Sequence, residues 1–521
     1  MAATVVNSER ELSHRQVLYI LSGLLLGLFL SVLDQSVIST SIRTIANDFH
    51  GYTLQAWVTT AYLATSTITT PLYGKLSDLY GRKPFFMFAI AVFVLGSLLC
   101  SFSTSMYQLA AFRAVQGIGA GGLASLTLTI LGDLVAPRQR ARYQGYFLAV
   151  YTGASLFGPV VGGLLAGTGS IAGVTGWRWV FLVNVPLGLV SLLVVWRVLT
   201  LPSVRRADVR IDWLGGSLLT VGLVPLLVVA DQGRTWGWGA PDSVLCYCLG
   251  FGGLLVFVLV EKAMGEHAFI PLRIFANVRF SQGLALAVVL GATQLGVITL
   301  LPQYFQVVLG LTPTRAGLMI LPTVLGTVIG AMVSAQIISR TGTYRTHTIV
   351  GAVVFVTGVF MLQFLPTDSA LPKASVLTLI VGLGLGAFNQ PLNLVMQNIL
   401  PAGDMGVATA AVTFFRQIGS TMGVALFLTL LFSFAAPDIA AELRVAGGQQ
   451  AQDVGTFVED TSVLDRLPAA TAGPIRHGFA DSMDTVFLCM SVLALVGLVL
   501  QLCWKPVSLG ARTGRQESST G

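Results

Sequence analysis

Fourteen apolar runs punctuate the chain, at about 17–40, 54–74, 84–103, 107–135, 143–167, 177–199, 212–231, 243–262, 279–304, 314–339, 346–366, 374–399, 405–435 and 483–504. A hydrocarbon core of about 30 Å is crossed by about 20 residues of α-helix, so each run predicts one membrane-spanning helix. Charged side chains gather between the runs, where they mark the ends of the spans. The fold class expected is an all-α membrane protein of 14 transmembrane helices. The first run is long enough to stay in the bilayer as a helix, and no cleavable signal peptide is evident.

Composition supports the bilayer. Hydrophobic residues make up 54% of the 521, and charged residues only 10%, whereas a soluble domain carries about a quarter. The 57 glycines suit close helix–helix approach in lipid. The formal net charge of +7 is no sign of nucleic acid here; where the basic residues fall matters more than their sum. With the N-terminus placed in the cytoplasm, 20 of the 30 lysines and arginines fall on inner segments, and an even number of crossings returns the C-terminus to the same side. The 5 cysteines are scattered in apolar runs and the 5 histidines lie in loops, helix ends or tails, so neither a disulfide framework nor a metal site is expected.

The stretch Gly74–Lys75–Leu76–Ser77–Asp78–Leu79–Tyr80–Gly81–Arg82–Lys83–Pro84 separates the second and third runs. Its charges predict a tight loop at one membrane face, with Gly74 and Gly81 permitting the turns and Pro84 opening the next helix. A weaker echo, Ser339–Arg340–Thr341–Gly342–Thr343–Tyr344–Arg345, follows the tenth run. An echo at that spacing predicts two copies of a six-helix unit with two helices inserted between them. The divisions expected are a cytoplasmic N-terminus 1–16, a first bundle 17–199, two additional helices with linkers 200–278, a second bundle 279–504 and a cytoplasmic tail 505–521. Within the second bundle, about 436–482 reads as a polar, acidic extracytoplasmic loop: a solvated connector, or a surface that captures cationic substrates.

Ionisable residues inside the runs are few: Asp34 in the first, Arg113 in the fourth and Arg416 in the thirteenth. Such residues mark functional positions because their desolvation is costly. At about 1.5 Å per residue, Asp34 lies roughly 25 Å from the inner end of its helix and Arg113 roughly 10 Å below the outer surface. The two therefore meet at similar depth. They form either a static fastener between helices or a pair whose competition for charge couples a proton to transport. No phosphate-binding Gly-x-x-x-x-Gly-Lys-Ser/Thr loop is present, so the chain reads as no enzyme and as no user of ATP.

The Gly74–Lys83 loop resembles the signature loop of the major facilitator superfamily, and further motifs extend the resemblance. Arg113, Gln116 and Gly117 are similar to the helix-4 motif of its drug exporters. Asp34 stands where the fourteen-helix branch has an aspartate. Gly153, Gly158, Pro159, Gly162 and Gly163 resemble the helix-5 motif that marks antiporters over importers, and Trp177–Pro186 and Phe415–Gly423 resemble the same branch. The resemblance implies the major facilitator fold and a multidrug or antibiotic efflux protein of the cell membrane that exchanges protons for amphipathic compounds. It implies Asp34 and Arg113 as the coupling residues.

The signature loop reads either as a gate, with Asp78 pairing with Arg82 or with other inner helix ends and Asp133 joining them, or as a solvated basic anchor. Small-xxx-small spacing at Gly158 and Gly162 predicts a close helix contact, and Pro159 a flexible point. Tyr62, Gln116, Tyr151, Phe157, Gln294, Phe388, Asn389, Asn393, Phe415 and Arg416 are candidates for the substrate cavity. No cofactor is expected beyond the proton gradient, no nucleic acid partner, and a monomer as the working unit. The alternatives are a dedicated exporter of one endogenous metabolite or lipid, and a transport-inactive membrane sensor.

Overall fold

The computed structural model describes residues 14–134, 137–199, 213–265, 272–341, 343–365, 371–400, 405–445, 454–465 and 467–504. The helices, in chain order, are α1 (His14–Asp48), α2 (Gln55–Tyr80), α3 (Arg82–Ser101), α4 (Met106–Leu134) and α5 (Pro137–Gly167). Then come α6 (Gly176–Val198, opening as a 3-10 turn), α7 (Trp213–Trp236) and α8 (Pro241–Met264). They are followed by α9 (Val278–Gln303), α10 (Pro313–Thr341), α11 (Arg345–Leu362), α12 (Leu371–Ile399), α13 (Met405–Val445) and α14 (Ala469–Cys503). Among the described residues the strands are a two-residue hairpin, Ser170–Ile171 against Val174–Thr175, ahead of α6.

Twelve of these helices are long and apolar enough to cross a membrane. The other two of the expected fourteen fall outside that set. The runs at 54–74 and 212–231 are helical, as α2 and α7, but neither belongs to the twelve. Thr59, Thr60, Thr65, Ser66, Thr67, Thr69 and Thr70 lower the hydropathy of α2, and the apolar part of α7 is the short Leu214–Ala230. Several of the α2 hydroxyls are satisfied across the helix contact: Thr65 Oγ1 donates to Ala114 O at 2.8 Å, and Thr69 Oγ1 to Ile118 O at 3.3 Å, so polar groups tie α2 to α4. Elsewhere the outer surface is apolar, as on α8, where Leu245, Leu249, Leu255 and Leu259 are exposed. A solvent of hydrocarbon accounts for such a surface; water does not.

The signature loop is shorter than expected. Helix α2 continues through Gly74 and Asp78 to Tyr80, and α3 begins at Arg82, so the turn is Gly81 alone, with φ 99°. A side chain at that φ would be strained, which leaves glycine as the residue that reverses the chain in one step. Arg82 folds back over the end of α2, donating Nη1 to Ser77 Oγ at 2.5 Å and to Gly74 O at 3.4 Å. A cation there complements the negative end of the helix dipole. The side chains of Asp78 and Asp133 lie outside the described residues, as do 1–13, linker residues 200–212 and 266–271, Gly342, and the tail 505–521.

Two matching ties join the third helix of each half to its last. Lys83 Nζ at the start of α3 donates to Trp196 O near the end of α6, at 2.6 Å. Arg345 Nη2 at the start of α11 donates to Leu502 O near the end of α14, at 3.2 Å. Between the halves, α7 and α8 form a hairpin whose glycines, Gly222 and Gly253, meet backbone to backbone. It docks through α7 alongside α2 and α13, where Leu223 and Leu227 face Ala64, Thr67, Ile418 and Thr421 across a small gap. Thr429 Oγ1 of α13 donates to Ala230 O of α7 at 2.6 Å.

The acidic loop expected at about 436–482 is largely helical. Helix α13 runs on to Val445 and α14 begins at Ala469, fourteen residues ahead of the expected start at 483. Between them lie a helical turn, Val454–Glu459, and a 3-10 turn, Thr461–Asp465; residues 446–453 are not described. The physical reason is a buried stripe. Ala435, Ile439 and Leu443 recur every four residues on one face of α13, and Ile475, Phe479 and Met483 do so on α14. The charged residues among them masked that period in a simple search for apolar runs.

Candidate functional site

Asp34 lies midway along α1 with 0% of its surface exposed. Its carboxylate is met from two other helices. Arg113 of α4 donates through Nη1 to Oδ2 in a buried ion pair, with the arginine itself 1% exposed. Gln116, one turn further along α4 and so on the same face, donates Nε2 to Oδ1 at 2.9 Å. Asn184 of α6 donates Nδ2 to the same oxygen at 2.8 Å. Arg113 Nη1 also donates to Gln116 Oε1 at 2.7 Å, so arginine, amide and acid close a ring of hydrogen bonds.

The surrounding shell orients these groups. Asn184 Nδ2 lies 3.1 Å from Ser97 Oγ, and Ser97 Oγ donates to Phe181 O at 2.9 Å. The Cys100 thiol donates to Gln116 Oε1 at 3.8 Å. Tyr62 of α2 covers one face of the guanidinium, with the Arg113 carbon 4.0 Å from the ring centroid. Moving a carboxylate and a guanidinium out of water costs several kcal/mol per ion, and attraction offsets this only when the remaining lone pairs are also satisfied. Here both carboxylate oxygens are satisfied. Asp34 carries the charge that the other three groups are arranged around, and through it α1 is held to both α4 and α6.

Asn184, Ser97 and Cys100 were not among the residues expected from sequence. Asn184 carried a signal, an amide inside a run of apolar residues in the Trp177–Pro186 stretch; Ser97 and Cys100 carried none. Tyr62 and Gln116, expected as cavity lining, are both buried in the Asp34 cluster.

A second cluster gathers the other amides. Asn389 of α12 donates Nδ2 to Gln294 Oε1 of α9 at 3.4 Å, and its own Oδ1 accepts from Asn393 Nδ2 at 3.2 Å and from Arg416 Nη1 of α13 at 3.3 Å. Phe415 packs edge-on against Phe275 at 5.9 Å. Tyr151 of α5 is exposed and lies within electrostatic range of Arg416 of α13. Phe388 is buried in the core and Phe157 is 59% exposed, so neither joins this cluster.

The glycine motif of α5 makes two contacts at once. A Cβ on Gly158 would overlap Ser36, and one on Gly162 would overlap Val37 and Thr40, so α1 lies against this face. Thr40 Oγ1 donates to Pro159 O at 3.2 Å and Ser41 Oγ to Gly162 O at 3.0 Å. On the adjoining face, Gly163 meets Pro313 and Pro159 meets Gly317, both on α10 of the other half. Gly153 has open space around it.

At the Asp48 end of α1 the halves are joined by hydrogen bonds that centre on a buried arginine. Arg43 donates Nη1 to Gln306 O at 2.7 Å, Nε to Thr461 Oγ1 at 3.0 Å and Nη2 to Thr461 O at 3.0 Å. Gln306 Nε2 returns a bond to Thr40 O at 2.9 Å. Tyr52 and Gln55 both donate to Gln303 Oε1, at 2.9 and 3.0 Å. Gln306 belongs to Tyr304–Val308, a π-helical turn that ends α9. A second buried ion missed from sequence is Glu261, near the end of α8.

The family model of the Major Facilitator Superfamily matches residues 24–424. The chain belongs to that superfamily. Multidrug resistance protein 3 of Bacillus subtilis (strain 168) is 32% identical over 489 residues, covering 92% of this chain and 93% of the relative. Multidrug transporter protein MdtP of the same strain is 27% identical, covering 98% and 97%. Among solved structures, a bacterial homolog of the human lysosomal transporter Spinster superposes with a TM-score of 0.65 at 17% identity, covering 95% of this chain and all of that one. This facilitator therefore has the family's all-helical membrane fold, and its curated relatives include multidrug transporters. The family and these relatives are transporters rather than enzymes.

Proposed function

We propose that this facilitator is a proton-coupled antiporter that exports hydrophobic or amphipathic compounds across the cell membrane. Fourteen helices cross the bilayer, as two six-helix bundles with α7 and α8 between them, and both termini are cytoplasmic. The proton gradient is the energy source, no cofactor is used, and one chain suffices. The observation that carries the reading is the fully buried Asp34, held by Arg113, Gln116 and Asn184. A tie needed only for packing is made at lower cost by apolar side chains. Kinship with multidrug transporters supports outward transport and a broad range of substrates.

In the proposed cycle, Asp34 takes a proton from the outer side, loosens its hold on Arg113, and α1 shifts along the glycine face of α5 as substrate leaves. On the inner side the acid releases its proton as substrate binds. The test is substrate-driven proton movement in proteoliposomes, with ethidium as one of a panel of lipophilic probes. Asp34→Asn abolishes proton-linked efflux while the variant stays folded in detergent. Undiminished efflux in that variant overturns the coupling role of Asp34.

A further inference from the structure

Arg416 stands about 16 Å from the start of α13, by the helical rise of about 1.5 Å per residue, well inside the bundle. The backbone there is fixed by close packing: a Cβ on Gly291 would overlap Arg416 O, and Ser420 Oγ donates to Gly291 O at 3.1 Å. Arg416 differs from Arg113 in one respect. No carboxylate pairs with it among the described residues, and its protein acceptor is the neutral Asn389 Oδ1 at 3.3 Å. A guanidinium carries five N–H donors in a planar fork. The remaining donors of Arg416 have no acceptor on the described residues, and the side chain is only partly buried. A cation kept inside a membrane bundle without a counter-ion is costly, and a planar fork matches a carboxylate or phosphate through two parallel bonds.

We propose that Arg416, with Asn389, Asn393 and Gln294, receives an anionic group, a carboxylate or a phosphate, carried by an otherwise apolar substrate. The amides of Asn389 and Asn393 add neutral donors beside the guanidinium, and Phe415 and Tyr151 bring aromatic surface for the apolar body. Charge is then handled at two places: the proton at Asp34 in the first half, the anion at Arg416 in the second. The assignment rests on the transport reading above and narrows its substrate class.

The test uses the full chain in phosphatidylcholine nanodiscs and a matched pair of probes, dansyl-aminoundecanoic acid and its methyl ester. At neutral pH the acid binds the native chain about ten- to hundredfold more tightly than the ester, as expected for charge-assisted hydrogen bonds. Arg416→Gln removes that preference by weakening binding of the acid to the level of the ester, with native-like thermal unfolding in detergent reporting that the variant is folded; Arg416→Lys keeps part of it. Equal binding of acid and ester by the native chain, or a preference that survives in Arg416→Gln, overturns the assignment. Loss of the preference when phosphatidylglycerol is added to the nanodisc keeps an anion site but gives it to a lipid headgroup, which overturns its use by the cargo. Efflux that still moves protons through Asp34 separates failure here from failure of the antiport reading.

Discussion

The side-chain amide of Asn184 on α6 donates to Asp34 Oδ1 on α1 at 2.8 Å, sharing that oxygen with Gln116 of α4. The acid is therefore a junction of three helices and not one side of a simple pair. Asn184→Ala removes a bond to a buried charge, worth about 1.5–3 kcal/mol. A double-mutant cycle with Asp34→Ala, read from unfolding in detergent, is expected to return a coupling of that size. Additive effects would mean that the amide serves only packing.

Arg113→Ala leaves a carboxylate without its cation in a site with no exposed surface. Loss of one partner of a buried pair costs about 3–5 kcal/mol, so a large fall in Tm is expected. Neutralising both partners, as Asp34→Asn with Arg113→Gln, restores much of the stability. Proton-linked efflux stays lost in this double variant if the pair couples transport, and returns with stability if the pair is a fastener. Comparing Tm with efflux separates the two.

Arg43 ties α1 to Gln306 and Thr461 at the end where the halves meet. Arg43→Gln leaves the two carbonyl oxygens without these donors and shifts the protein toward states open at that end. Nitroxides at the exposed Tyr107 and Val445 report this by electron–electron spin distance, as a larger population of long separations. An unchanged distribution would remove Arg43 from the closure.

At the same end, His50 Nδ1 lies 3.0 Å from Asp460 Oδ2. Partial burial of Asp460 acts to raise its pKa, but the hydroxyl and N–H of Ser462 and the neighbouring His50 outweigh it and hold the carboxyl below its usual range. A lowered carboxylate pKa stabilises the folded segment above the unfolded value of about 3.9, and that contribution is lost as pH falls through the folded value. Amide exchange of residues 454–465, corrected for its intrinsic pH dependence, is expected to rise below about pH 4. The rise is absent in Asp460→Asn.

The sequence alone determined the class of fold and the chemistry to look for. Runs long enough to cross hydrocarbon reveal helices because each must satisfy its own backbone there, and that constraint is written locally. Asp34, Arg113 and Arg416 stood out for the same reason, as ions where ions are expensive. The tertiary structure decided the pairings. That Asp34 takes Asn184 from a helix 150 residues away, while Arg416 has an amide and, among the described residues, no acid, depends on which faces meet. The same holds for the buried stripes that turn the acidic segment into extended helices, and for Gly81, whose one-residue turn depends on α2 and α3 being packed. Apolarity along a chain fixes what must leave water; only the packing of helix faces decides which polar groups find one another once they have left it.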